Sequence, residues 1–166
     1  MDVRSKRKDR LSEYTIKQYG VNAVMIAALF LFGLVLSWDL SAFAGLLYLL
    51  AWVASYIVIH ATTCRNCEYY GKQCPLPFEG GCSHVMFDQG KNFGIIAGLG
   101  GLLAYFMRVC IPYVAILQAG SFLYFTLYTG VIVLFCYVLF YHTGCPHCIQ
   151  TKCPMNPDFH TQKPNR

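Results

Sequence analysis

Cysteine and histidine are the residues of this sequence whose spacing is best suited to chemistry, and they occur in two similar stretches. Each stretch contains a His, then a Cys-x2-Cys pair, then a third Cys followed by a proline. The first begins at His60 and the second at His142. A Cys-x2-Cys turn brings two sulfurs to one side, and thiolates bind soft and borderline metal ions, so the pattern predicts metal binding. The repeated cysteines are Cys64, Cys67 and Cys74, and then Cys145, Cys148 and Cys153.

Zinc is the metal that these ligands favour. A structural zinc ion takes four ligands at tetrahedral corners. The first stretch and the residues after it offer a complete set of thiolates, namely Cys64, Cys67, Cys74 and Cys82. The second stretch has three cysteines and needs a histidine, for which we expect His160, with His147 and His142 as alternatives. Its order, Cys-x2-Cys-x4-Cys with a later His, resembles a zinc knuckle in which the third ligand is changed, and the resemblance implies zinc.

Two other cysteine chemistries stay open. Cys74-Pro75 and Cys153-Pro154 resemble the ends of bacterial ferredoxin cysteine runs, which favours an iron–sulfur cluster, although the third cysteine lies further on than in those runs. Redox-active thiol pairs are the other alternative. Four-helix membrane enzymes that pass electrons from thiols to quinone are similar in size, but their thiols face the oxidising side of the membrane.

Three further residues are candidates for cofactor binding. His60 and His142 stand at the ends of apolar runs, where they could ligate a haem b, bind the metal, or hydrogen-bond the cysteine stretch to the helices. Neither stretch contains Cys-x-x-Cys-His, so covalent haem attachment is not indicated. Arg108 is a basic residue inside an apolar run, which indicates a site for an anion, a lipid head group or a quinone. As a structural alternative, we expect Arg108 to extend to the far membrane interface.

The apolar runs that hold these residues are long enough to cross a membrane. Apolar residues make up 56% of the 166-residue chain. A hydrocarbon core of about 30 Å needs roughly 20 helical residues. Residues 21–59 supply transmembrane helices 1 and 2, and residues 93–141 supply helices 3 and 4, the last pair interrupted by Arg108 and Pro112. We therefore predict an all-α membrane protein, a four-helix bundle built as two tandem repeats of two helices and a Cys-rich loop.

The polar segments complete the domain organisation and predict its orientation. There are three of them: a basic arm over residues 1–20, a first Cys-rich module over residues 60–92, and a second module with a tail over residues 142–166. The basic arm is predicted to be either a helix on the bilayer surface or a disordered segment. Twelve of the 13 Lys and Arg lie in these segments, and the remaining one is Arg108. Because basic residues are enriched on the cytoplasmic side, both termini and both modules are predicted to be cytoplasmic. Stable disulfides are rare there, which favours metal ligands.

Partners can be predicted only by class. The lipid bilayer is one, and a cytoplasmic or membrane protein is the second. Gly94, Ala97, Gly98 and Gly101 have the small-residue spacing of close helix contacts, either within the bundle or in a homo-oligomer. Nucleic acid is excluded as a partner, because the basic residues do not form a stripe interleaved with aromatic residues.

These observations predict an integral membrane protein that presents two cytoplasmic zinc-type modules for docking a partner. The alternative is an electron-transfer subunit with cytoplasmic iron–sulfur centres, linked to quinone. No combination of nucleophile, base and orienting residue is visible, so no catalytic residue is assigned, and whether the protein is an enzyme stays open.

Overall fold

The computed structural model describes residues 8–76, 79–90, 93–153 and 156–158, and within them the regular structure is helical, without strands. The helices are α1 Ile16–Leu40, α2 Ala42–Thr62, α3 Glu79–Met86, α4 Ile95–Ala119 and α5 Phe122–Val138. The spans Ile16–Leu40, Ala42–Asn66, Ile95–Ala119 and Phe122–His147 are long and apolar enough to cross a membrane. The prediction of an all-helical chain with four helices long and apolar enough to span a membrane is confirmed, whereas the tandem repeat stays a prediction.

Helix α1 begins earlier than the apolar run at Val21 predicts. It starts at Ile16, after Thr15, whose backbone N–H donates a hydrogen bond to the Gln18 side-chain oxygen at 2.8 Å. This bond pairs a backbone donor at the helix start that would otherwise lack a partner. Residues 16–20 of the predicted basic arm therefore belong to α1, because hydropathy does not detect a polar first turn.

Helices α2 and α4 pack closely through small residues. Ala97, Gly100 and Ala104 are buried along α4. A Cβ atom added to Gly100 would collide with the Thr62 side chain, so these backbones approach closely only because position 100 is glycine. At the module end of this contact, the Thr63 hydroxyl donates to the Ala97 carbonyl at 2.6 Å.

The predicted small-residue contact within the bundle exists, but Gly94 and Gly98 do not take part in it, and a homo-oligomer face at these residues stays a prediction. A Cβ atom added at Gly94 or Gly98 would have nothing within 4 Å, so these glycines do not face another helix of the chain. Ala97 belongs to the contact and is joined by Gly100. The sequence spacing fixes a stripe of small residues, but the rotation of the helix decides which members face a neighbour.

The remaining spans close the bundle around aromatic residues. Phe32 of α1 packs edge-to-face against Tyr128 of α5, with ring centroids 5.6 Å apart. The hydroxyls of Tyr113 on α4 and Thr129 on α5 lie 2.9 Å apart, within hydrogen-bond distance. Helix α4 continues through Pro112, where the sequence predicted an interruption, and Pro112 is buried within the bundle.

Candidate functional site

Each Cys-x2-Cys pair forms a short 3₁₀ turn close to the end of a membrane span. The turn Cys64–Asn66 follows α2, and the turn Cys145–His147 follows α5 after a π-helical turn at Leu139–Thr143. In each turn the N–H of the second cysteine donates to the carbonyl of the first, at 3.2 Å and 3.3 Å. The two pairs therefore have similar local backbone structure.

The two modules pack against each other. Tyr69 of the first module donates its hydroxyl hydrogen to the Leu11 carbonyl at 2.7 Å and accepts the Ile149 N–H of the second module at 3.2 Å. Tyr69 also forms a buried cluster with Tyr14 and Cys74. Cys67 and Cys148, one from each module, pack against this cluster. We call residues 8–15, 64–76 and 144–153 the cysteine head.

Residues 8–15 of the basic arm are an integral part of the cysteine head. The Leu11 N–H donates to the His147 carbonyl at 3.0 Å, and the Tyr14 N–H donates to the Gln73 carbonyl at 3.1 Å. The Tyr14 hydroxyl donates to the Gly144 carbonyl at 3.0 Å. Residues 8–15 therefore connect both modules, where the sequence predicted a surface helix or a disordered arm. A single sequence shows no signal for such backbone pairing, because it involves few side chains.

Burial favours the protonated form of three thiols in the head. It raises the pKa of Cys74 to about 12 and that of Cys148 to about 11, because a thiolate loses its hydration there. Burial raises the pKa of Cys67 as well. The Cys74 thiol donates to the Leu76 carbonyl at 2.9 Å. At neutral pH these groups are therefore thiols, and a metal ion would have to displace their protons.

Those predicted zinc ligands that the structure describes are not gathered into a coordination set. Among the residues that the structure describes, no group of three His, Cys, Asp or Glu side chains could hold a metal ion. Cys64 and Cys74 are buried, whereas Cys82 is exposed on α3. His160 lies outside the described residues. The zinc assignment of both sets, including Cys145 and Cys153, stays a prediction.

A small polar cavity lies where the modules meet. Its volume is about 80 Å³. Cys67 lines it together with Asn66 and Glu68 from the first module and Gln150 and Lys152 from the second. A cavity of this size holds a few water molecules or one ion, and it places polar groups of both modules beside the Cys67 thiol.

The two candidate histidines have different surroundings. His60 is 2% exposed, and its Nδ1 lies 2.7 Å from the Tyr56 carbonyl. His142 is exposed, and its ring lies 5.1 Å from the Tyr137 ring. Equivalent positions in the sequence therefore do not give equivalent sites.

A second site lies deeper, around Arg108. Its side chain is only 4% exposed. Nη1 donates to Oε1 of Glu79 at 3.0 Å, and Nε donates to the Ser55 hydroxyl at 2.9 Å. The guanidinium carbon lies 4.7, 4.8 and 5.0 Å from the rings of Trp52, Tyr56 and Tyr105. Cation–π contacts of this kind stabilise a charge that has lost its water. We call Ser55, His60, Glu79, Tyr105 and Arg108 the Arg108 centre.

The expectation that Arg108 extends to the far membrane interface is wrong. Helical side chains tilt towards the N-terminus of their helix. The N-terminal end of α4 is its module end, because Ala97 is bonded to Thr63. Arg108 lies roughly 16 Å along α4 from Ala97 at about 1.5 Å per residue, and its side chain points back towards the modules. There it meets Glu79, which comes from the module side.

Sequence reasoning missed Glu79, although a signal was available. A charge buried in a membrane span requires a partner, and the first module contains only Glu68, Glu79 and Asp88 as acidic residues. Glu79 is followed by Gly80, where a Cβ atom would collide with the Lys72 carbonyl. The backbone at Gly80 can therefore lie close to the turn at Lys72 because residue 80 is a glycine. Burial raises the pKa of Glu79, and the Arg108 guanidinium opposes that rise.

The Arg108 centre contains buried polar atoms without a hydrogen-bond partner in the described part of the chain. They include His60 Nε2, the Tyr105 hydroxyl and Arg108 Nη2. Because His60 Nδ1 faces a carbonyl oxygen, it carries the hydrogen of the neutral ring, and Nε2 is left as an acceptor. The Tyr105 hydroxyl and Arg108 Nη2 are donors.

Comparison of the chain with protein families, curated proteins and solved structures finds no match.

Proposed function

We propose that the protein is a multi-pass membrane protein whose two cysteine modules bind zinc-type metal ions and dock a protein partner at the cytoplasmic face. One observation carries the proposal: Cys67 and Cys148 pack against the same buried Tyr14–Tyr69–Cys74 cluster, so both modules form one body. A single body that holds thiols from both modules is a suitable scaffold for metal ions and for a partner surface.

The small core of the head supports a stabilising role for metal. Its buried cluster consists of Tyr14, Tyr69 and Cys74, with a few partly buried apolar side chains around it. Small units with little apolar surface to bury commonly depend on metal ions or disulfides. Cys64, Cys67, Cys74 and Cys82 are free thiols in the structure. Metal binding would release their protons and contribute directly to folding free energy.

The contacts of the arm support the proposed orientation. Residues 8–15 are bonded to both modules, so this segment and the two modules lie at the same end of the bundle. The basic residues outside Arg108 all belong to the arm, the modules or the tail. By the positive-inside rule this end is cytoplasmic, where thiols stay reduced and available to a metal ion.

Elemental analysis of protein purified without oxygen tests the proposal. We expect zinc in a whole-number ratio to protein, a loss of zinc in Cys148→Ser, and unchanged zinc in Cys136→Ser. Cys136 is the matched control because it lies in α5, outside the head. Wild-type protein without bound metal, or equal zinc in both variants, would contradict the proposal.

An electron-transfer function is the second candidate. The observation that favours it is again the proximity of the modules. An iron–sulfur cluster shared between the modules needs sulfurs from both. Cys67 and Cys148, one from each module, pack against the same group of buried residues. The same purified sample separates the two functions. Iron, labile sulfide and visible absorption that bleaches on reduction support an iron–sulfur centre, whereas a colourless zinc protein excludes it.

A further inference from the structure

A cavity lies at the end of the bundle opposite the cysteine head, where α1 and α4 end and α5 begins. Its volume is about 320 Å³. Leu36 and Ile116 line it and are buried, whereas Asp39, Gln118 and Tyr124 line it and are exposed. Small-molecule pockets commonly start at about 300 Å³, so the cavity has room for a small organic molecule. We call it the far-end cavity.

The buried part of the lining belongs to the packed interior of the bundle. Leu36 and Ile116 form a buried cluster with Tyr128, and Phe32 packs against it. This apolar surface is supported from below by three helices, so it does not depend on a flexible loop. A ligand with an apolar body would remove such surface from water, which favours binding.

Asp39 gives the cavity a negative charge that no nearby basic residue offsets in sequence. The two turns at this end, residues 38–41 and 118–121, contain Asp39 and no Lys or Arg. Within the described part of the chain, ion pairs join Arg10 to Asp158 and Arg108 to Glu79, and Asp39 takes part in neither. Charge complementarity therefore favours a cation.

The polarity of the helix ends strengthens this preference. Helix α1 ends at Leu40 and α4 ends at Ala119, and the last carbonyl groups of a helix carry a partial negative charge. Both end residues line the cavity. The first turn of α5 has the opposite polarity, but the Ser121 hydroxyl accepts the Tyr124 N–H there at 3.4 Å. Two negative helix ends and one carboxylate thus border the same cavity.

The chemistry of the lining distinguishes an organic cation from a metal ion. Calcium takes about six to eight oxygen ligands, and magnesium requires near-octahedral oxygen coordination. Among the residues that line this cavity, Asp39 is the one acid, and most of the others are apolar. A bare ion would gain nothing from the apolar surface, whereas an organic cation uses both parts of the lining.

We propose that the far-end cavity binds a small organic cation that combines an ammonium group with an apolar body. The ammonium group pairs with the Asp39 carboxylate, and the apolar body lies on Leu36 and Ile116. Tyr124 adds an aromatic ring to the lining, and aromatic faces attract cations. The cavity shares no residue with the cysteine head and needs no metal ion, so this proposal and the proposed function can fail independently.

Equilibrium dialysis of radiolabelled 2-phenylethylamine tests the site, with the full chain in phosphatidylcholine nanodiscs and empty nanodiscs as the blank. We expect saturable binding that persists after treatment with a metal chelator. Unlabelled 2-phenylethylamine should displace the label, whereas 2-phenylethanol, which has a similar shape and no charge, should not. Asp39→Asn should raise the Kd about fivefold by removing the counter-charge. Asp88→Asn makes the same change at an exposed acid of the first module and should leave the Kd unchanged.

Ala119→Trp provides a second, independent variant. Ala119 lines the cavity and is exposed, so a large side chain there occupies the cavity without changing its buried residues. We expect this variant to lose saturable binding. Three results would overturn the proposal: uptake no greater than that of empty nanodiscs, equal displacement by 2-phenylethanol, or equal Kd values for Asp39→Asn and Asp88→Asn.

Discussion

Glu79 accepts a hydrogen bond from Arg108 at 3.0 Å inside the helix bundle, with side chains that are 3% and 4% exposed. The pair joins a polar module to a membrane helix, because Glu79 begins α3 and Arg108 lies in the middle of α4. It also fixes the surroundings of the unpartnered atoms in the Arg108 centre. The stability of the bundle and the chemistry of the centre therefore depend on the same contact.

Breaking this pair from one side should be strongly destabilising. Glu79→Gln leaves the guanidinium of Arg108 buried without a counter-charge, and we expect the free energy of unfolding to fall by about 3–5 kcal/mol. Reversible unfolding in mixed micelles measures the change. Glu68→Gln is the matched control, because Glu68 is an exposed acid of the same module and should change stability by less than about 0.5 kcal/mol.

A double variant separates loss of the pair from loss of packing. Arg108→Met in the Glu79→Gln background removes the unpaired charge, and we expect it to restore part of the lost stability. If the double variant is less stable than Glu79→Gln, then the ring contacts of Arg108 with Trp52, Tyr56 and Tyr105 stabilise the protein by more than the unpaired buried charge destabilises it.

The sequence predicted the membrane spans well because hydropathy and length are local properties. It also placed Cys64 and Cys145 correctly at the module ends of spans. It did not predict that both modules meet at Tyr69, because the Tyr69 hydroxyl is bonded there to backbone groups of residues 11 and 149, and any sequence possesses such groups. The direction of the Arg108 side chain could have been predicted, since the tilt of helical side chains is general.

The predicted zinc-ligand set of the first module stays a prediction, because cysteine spacing alone does not determine where each side chain points. Spacing shows that Cys64, Cys67 and Cys74 can lie on one turn, but it does not show which side of α3 carries Cys82. In the structure α3 turns Glu79 and Ser83 inwards and leaves Cys82 exposed. The periodicity of so short a helix is too weak to reveal this from sequence alone.

The glycine at position 100 should be essential to the contact between α2 and α4. Gly100→Ala places a methyl group against Thr62, and we expect a loss of about 1–3 kcal/mol in unfolding free energy because the helices must separate or shift. Gly98→Ala is the control, with nothing within 4 Å of the added Cβ, and it should be neutral or stabilising. Equal effects of the two substitutions would show that α4 is rotated relative to this structure.

The Tyr69 hydroxyl should hold the arm and the second module together. Tyr69→Phe leaves the Leu11 carbonyl and the Ile149 N–H without this partner, which costs about 1–3 kcal/mol locally. We expect faster amide hydrogen exchange in residues 8–15 and 144–150, measured by mass spectrometry. Tyr70→Phe loses a bond to the Phe87 carbonyl within the first module and should leave both segments unchanged.

The buried thiols should make the metal-free protein sensitive to alkaline pH. Folding raises the pKa of Cys74 from 9.0 to about 12 and that of Cys148 from 9.0 to about 11. The folded chain therefore retains protons that the unfolded chain releases, so this contribution to stability is complete below pH 9 and decreases as the pH rises towards 11 and 12. Unfolding of chelator-treated protein between pH 8 and 11 should show this decrease, and Cys74→Ala should show a shallower one. The exposed Cys82, changed to Ala, serves as the control, and a wild-type stability that rises with pH in this range would contradict the prediction.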